Sequence, residues 1–314
     1  MIEEPEEISG ISSPAAPVAP YEIADRLRDY VALTKPEINA LIVISTIAGA
    51  WMAFASRQVP FVPALVANAV LGTALVASGA GALNQAIEKR FDALMSRTMR
   101  RPVASGRVPA LHAACFGAVL GLTGFFWLLG TVNLGAALLA LSALAIYIGA
   151  DTPLKRRSPV SLVVGAIAGA VPPLIGWFAA RGALNLEAAL IFSLLFLWQF
   201  PHFMSIAWIC KGDYARAGYH IMPRNSSSRF VAFATLAPSM ALFISTLFFA
   251  LARGALNCVP LLACVGLAFL AVGVFFVALK TNSAARRLLA ASIYYLPVVC
   301  ALLILVATCK PSVH

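Results

Sequence analysis

The chain has 314 residues, of which 61% are apolar and only 11% charged, where a soluble domain carries about 25% charged residues. That much apolar mass excludes a soluble enzyme, a nucleic-acid binder and a secreted disulfide scaffold. The net charge of +10 therefore reads as membrane orientation, not as affinity for nucleic acid.

Residues 1–36 are rich in Glu, Pro, Ser and Ala, with Glu3, Glu4, Glu6 and Glu7 near the start. They carry neither the basic and apolar start of a secretory signal nor the acid-poor composition of a transit peptide. The expectation is a disordered cytoplasmic tail leading to a short amphipathic approach around Asp25–Lys35. Residues 37–309 then form the membrane domain, and the missing transit peptide favours a bacterial inner membrane.

Apolar segments follow near 38–56, 62–87, 111–130, 133–150, 160–179, 186–209, 230–251, 257–279 and 288–309. Each is long enough for a membrane helix of about 20 residues. The expected fold is all-α, a polytopic protein of nine transmembrane helices.

Positive charge sorts by loop. The tail holds Arg26, Arg28 and Lys35, and the loop after span 2 holds Lys89, Arg90, Arg97, Arg100, Arg101 and Arg107. Lys155, Arg156 and Arg157 follow span 4; Lys211, Arg216, Arg224 and Arg229 follow span 6; Lys280, Arg286 and Arg287 follow span 8. Against these stand only Arg57, Arg181, Arg253 and Lys310. The positive-inside rule places the N-terminus and these cationic loops in the cytoplasm and the C-terminus outside.

Eight of the thirteen acids lie at or before Glu37, leaving Glu88, Asp92, Asp151, Glu187 and Asp213. All of these but Glu187 fall at the cytoplasmic ends of spans 2, 4 and 6. Ionisable groups beside apolar spans are costly and mark functional sites. Asn84, Glu88 and Asp92 recur every four residues and share one helix face about 12 Å long. Like charges at this spacing destabilise a helix unless a cation lies between them. Oxygen ligands on a rigid face suit Mg²⁺, which bridges carboxylates to substrate phosphates. A solvated helix end would show the same charges.

Arg97 and Arg101 follow closely, and arginine grips phosphate oxygens bidentately. Lys155 follows Asp151, and Lys211 precedes Asp213. Asp213 is expected across the site from Glu88 and Asp92, serving a second metal, with Lys155 and Lys211 neutralising leaving-group charge. In span 6, Trp198-Gln-Phe-Pro-His-Phe203 places His202 at membrane depth, where it is either an ordinary interfacial histidine or a substrate contact. Pro201 is expected to kink this span, and Pro172-Pro173 to break span 5. Cys115, Cys210, Cys258, Cys264, Cys300 and Cys309 form no CxxC pair and read as small buried apolar residues.

The string Asn84-x₃-Glu88-x₃-Asp92-x₂-Met95-x-Arg97-Thr98-x₂-Arg101-Pro102 resembles the first motif of the protoheme IX farnesyltransferases. These haem O synthases are a branch of the UbiA superfamily of intramembrane prenyltransferases. Residues 152–156, 165–177 and 198–223 are similar to further stretches of that family, so the resemblance spans roughly 35–300. It implies nine helices around a central cavity. It also implies transfer of a farnesyl group from farnesyl diphosphate to a vinyl group of haem b, with water addition, giving haem O and diphosphate. By that resemblance Asn84, Glu88, Asp92 and Asp213 hold Mg²⁺, while Arg97, Arg101, Lys155 and Lys211 bind diphosphate. His202 contacts the acceptor, and a haem-modifying enzyme or terminal-oxidase assembly takes the product.

Two positions depart from the pattern: Asp151 stands where the family usually has Tyr, and Ala217 replaces the second acid of the superfamily's second motif. A UbiA-type enzyme acting on an aromatic quinone precursor is the alternative within the enzyme class, and the 198–203 stretch separates the two. A transporter would place its polar groups near the midplane of repeated halves, and no such repeat is evident here.

Overall fold

A computed structural model gives the architecture, described here for residues 22–57, 60–222 and 228–308. The acidic start of the tail, Arg224, Cys309, Lys310 and His314 lie outside the described residues. Among those described there is no strand, and nine helices are long and apolar enough to cross a membrane.

A short amphipathic helix, α1 (Ile23–Leu33), precedes the first span. The spans are α2 (Pro36–Arg57), α3 (Pro63–Asp92), α4 (Ala110–Thr131) and α5 (Leu134–Ala145). α5 runs on through a π-helical turn, Ile146–Asp151, into the single turn α6 (Thr152–Leu154). The fifth span is two helices, α7 (Ser161–Ala170) and α8 (Pro172–Arg181), broken where Pro172 and Pro173 remove two backbone donors. Next come α9 (Leu186–Ile209), the short α10 (Lys211–Arg216), α11 (Ser228–Ala252), α12 (Val259–Leu279) and α13 (Asn282–Thr308).

Local chemistry sets several boundaries. Pro36 and Pro63 open helices where a missing N–H costs nothing. Asn133 and Asn185 cap α5 and α9, accepting from Ala136 N at 2.8 Å and Ala188 N at 3.0 Å. α13 begins six residues before the expected span because Thr281 Oγ1 accepts from Ala284 N at 3.2 Å, drawing Arg286 and Arg287 into the helix. α9 stays one helix through Pro201, so the expected kink does not interrupt it.

The spans close into a ring. α3 packs on α4, α2 on α3 and α8, α9 on α11 and α13, and α13 returns to α2. The tightest seam joins α2 to α8: a Cβ on Gly176 would stand 2.0 Å from Thr46 O, and one on Gly49 2.0 Å from Pro173 O. Small residues at such seams let backbones meet, as membrane helices require where lipid offers no hydrophobic drive. Cys258 and Cys300 are buried as expected, but Cys115 and Cys264 face outward. They sit among lipid-exposed apolar neighbours, where burial in protein is not needed to keep a thiol from water.

Candidate active site

The last turns of α3 carry the acids inward. Asn84, Glu88 and Asp92 are 1%, 5% and 1% exposed, so the expected face is lodged in the protein and is no solvated helix end. Each has a cationic partner from elsewhere in the chain. Arg101 Nη1 donates to Asp92 at 2.8 and 2.9 Å. Lys155 Nζ lies 3.3 Å from Glu88 Oε1 and 3.1 Å from Asp151 Oδ2. Lys35 Nζ donates to Asn84 Oδ1 at 2.8 Å. These cations resolve the like-charge repulsion that the spacing sets up.

The π-helical turn 146–151 brings the opposite wall into place, a wide turn of the kind that recurs at functional sites. From it Asp151 points inward, 3% exposed, and Tyr147 lies between the ammonium groups of Lys35 and Lys155, 5.8 and 5.2 Å from its ring centre. Thr152 Oγ1 accepts from Asn84 Nδ2 at 3.2 Å and donates to Tyr147 O at 2.9 Å. Burial works against the Lys155 ammonium, but Tyr147, Glu88 and Asp151 more than offset it, holding its pKa well above the ordinary lysine value.

Asp213 does not join this cluster. It accepts from Ser96 Oγ at 2.6 Å and from the Arg97 backbone N–H at 3.2 Å, and pairs with Arg216. The Ser96 hydroxyl leads the contacts that keep its carboxyl below the usual aspartate value. Asp213, expected across the site from Glu88 and Asp92, holds the turn that carries Arg97, and the acid beside Glu88 is Asp151, joined to it through Lys155. Lys211 is exposed and lies over the Trp208 ring at 4.7 Å. Among the described residues no three of His, Cys, Asp and Glu gather as a ready-made metal cage. The oxygen-only donor set of Asn84, Glu88 and Asp92 still suits a hard cation held partly by substrate phosphates, and the ammonium between Glu88 and Asp151 marks the pull there on positive charge.

Part of this cluster lines a cavity of about 430 Å³. Lys35, Arg97, Asp151 and Lys155 line its polar end; Ile42, Val76, Leu144, Ile175 and Leu195 line the membrane-embedded remainder. Gln199 Nε2 donates to Ala166 O at 2.9 Å, and its amide fills the space a side chain at Gly169 would need. His202 also lines the cavity, its ring stacked on Trp198 with centroids 5.1 Å apart.

Sequence reasoning missed Lys35 and Tyr147. Lys35 was absorbed into the count of orienting charges, although Thr-Lys-Pro at a span entrance is a signal, and the structure gives it a φ of +52°. Tyr147 lies in an apolar run that hides its hydroxyl.

The model of the UbiA prenyltransferase family matches residues 42–306. A protoheme IX farnesyltransferase of Solibacter usitatus is 40% identical over 291 residues, covering 89% of this chain and 98% of its own. One of Koribacter versatilis is 36% identical over 310 residues, covering 95% and 99%. Among solved structures, a UbiA homologue from Archaeoglobus fulgidus bound to GPP and Mg²⁺ superposes with a TM-score of 0.65 at 14% identity, covering 88% of this chain and 99% of that one. A digeranylgeranylglyceryl phosphate synthase reaches 0.70 at 16% identity, covering 90% and 99%.

Proposed function

This chain belongs to the UbiA prenyltransferase family, and from that premise we propose that it farnesylates haem b, with water addition, giving haem O and diphosphate. The supporting observation is an apolar, membrane-embedded cavity whose polar end carries Lys35, Arg97, Asp151 and Lys155, with Glu88 paired to that same lysine. Relatives carrying the protoheme IX farnesyltransferase name match it nearly end to end.

Farnesyl diphosphate lies with its apolar chain in the cavity and its diphosphate among Lys35, Arg97, Arg101 and Lys155. Lys211 serves the diphosphate only from the outer edge, by leaving Trp208. Asn84, Glu88 and Asp92 would hold Mg²⁺, which supplies further positive charge at the diphosphate oxygens. Asp213 acts through the Ser96–Arg97 turn. When the C1–O bond breaks, its electron pair leaves with the diphosphate, and the fixed cations stabilise the charge that develops. The apolar walls keep water from the allylic cation. The π pair of a haem vinyl group forms the new bond to C1, leaving a cation on the vinyl carbon next to the porphyrin. Water adds there and gives up one proton, producing the hydroxyethylfarnesyl side chain. The excess of Lys and Arg in the loops on that side supports a cytoplasmic N-terminus and site in a bacterial inner membrane, with a haem-modifying enzyme or oxidase assembly proposed to receive the product.

The test is a product assay on detergent-solubilised protein with haem b, farnesyl diphosphate and Mg²⁺, beside a tube containing chelator. A haem gaining farnesyl plus water, only with the metal, is expected. Prenylation of an aromatic acid without any haem product would move the protein to the quinone-precursor branch.

A further inference from the structure

His202 has one ring nitrogen committed and one left over. Its Nδ1 lies 2.8 Å from Ser292 Oγ. The Ser292 hydroxyl has a single proton, and it donates that proton to Leu289 O, one helical turn back, at 2.7 Å. Ser292 can therefore only accept from the imidazole, so Nδ1 carries the hydrogen and Nε2 keeps its lone pair. Ser292 itself is held from the other side, because Trp198 Nε1 donates to its carbonyl at 2.8 Å. The Trp198 ring stacks on the imidazole, 24° from parallel, and both residues line the cavity.

A neutral imidazole oriented through Nδ1–H, with Nε2 free, is how proteins present histidine to a metal, and neutral imidazole is a common axial ligand of haem iron. His202 lies seven residues before the end of α9 at Ile209, about 10 Å along the helix at 1.5 Å per residue. A flat macrocycle anchored there would share one cavity with Lys35, Arg97, Asp151 and Lys155.

We propose that His202 Nε2 ligates the iron of the haem substrate, with Ser292 as the positioning residue that sets its tautomer. This rests on the haem reading above and extends it to the atom that grips the acceptor.

The experiment titrates ferric haem b and metal-free protoporphyrin IX into purified protein, without farnesyl diphosphate, and follows absorption spectra. The wild type is expected to show an imidazole-ligated iron spectrum and to bind the iron form at least tenfold more tightly than the metal-free one. His202→Ala should erase that preference and the spectrum while still binding the metal-free porphyrin, which reports an intact cavity; added imidazole should restore the spectrum. His202→Met should change it to a thioether-ligated one. Ser292→Ala should keep ligation but weaken it several-fold. A haem that binds and is farnesylated with the same spectrum in wild type and His202→Ala overturns iron ligation and leaves the transferase reading standing. A wild type that binds neither porphyrin overturns both.

Discussion

Lys155 Nζ stands 3.3 Å from Glu88 Oε1, joining residues 67 apart in sequence, and the same ammonium reaches Asp151. One cation thus holds two buried carboxylates. Lys155→Met would leave both without it, and removing one partner of a buried pair costs about 3–5 kcal/mol. A large fall in melting temperature and loss of transfer are expected. The double variant Lys155→Met/Asp151→Asn should regain part of the melting temperature and none of the activity. Equal melting temperatures for the single and double variants would show that Asp151 is not held by Lys155.

Asp92→Asn keeps the shape of a 1%-exposed side chain, and its amide oxygen can still accept from Arg101. The expected result is a folded protein with no detectable turnover at saturating Mg²⁺. Near-normal activity would remove Asp92 from the metal set.

Lys35→Asn removes an ammonium while tolerating the left-handed backbone, which asparagine adopts more readily than most residues. A hydrogen bond to a charged group is worth about 1.5–3 kcal/mol. KM for farnesyl diphosphate should therefore rise roughly ten- to a hundredfold, with the haem titration unchanged. An unchanged KM would confine Lys35 to holding Asn84.

Gly176→Ala drives a methyl into Thr46 O across the α2–α8 seam. Forced overpacking costs typically 1–3 kcal/mol, and the lost backbone contact should lower the melting temperature. Gly130→Ala, where a Cβ meets nothing within 4 Å, should leave it within about a degree. Equal thermal stability of the two would mean that the seam can open.

Much of the site was legible because its residues are chemically out of place: an acid at the end of an apolar span is costly wherever it points. Periodicity alone put Asn84, Glu88 and Asp92 on one face. What Asp213 contacts was not legible, because loop acids at one membrane face look equivalent in sequence. The short α10 turns this one onto Ser96 and Arg216. Asp151 meets Lys155 at ordinary i,i+4 spacing, but the π-helical turn that leads into it was not legible, because an extra residue in a helical turn leaves no mark in apolar periodicity.

The sequence by itself determined the nine spans, the sorting of charge between loops, the break at Pro172 and the acidic face of α3. Those follow from local physics: transfer of apolar segments into lipid, a missing backbone donor, and 3.6 residues per turn. The tertiary structure decided which cation meets which acid, which nitrogen of His202 is free, and that Lys35 belongs to the site. Lys155 with Glu88, Lys35 with Asn84 and His202 with Ser292 each join residues tens of positions apart, and ring closure of the spans, not any local preference, sets their distances.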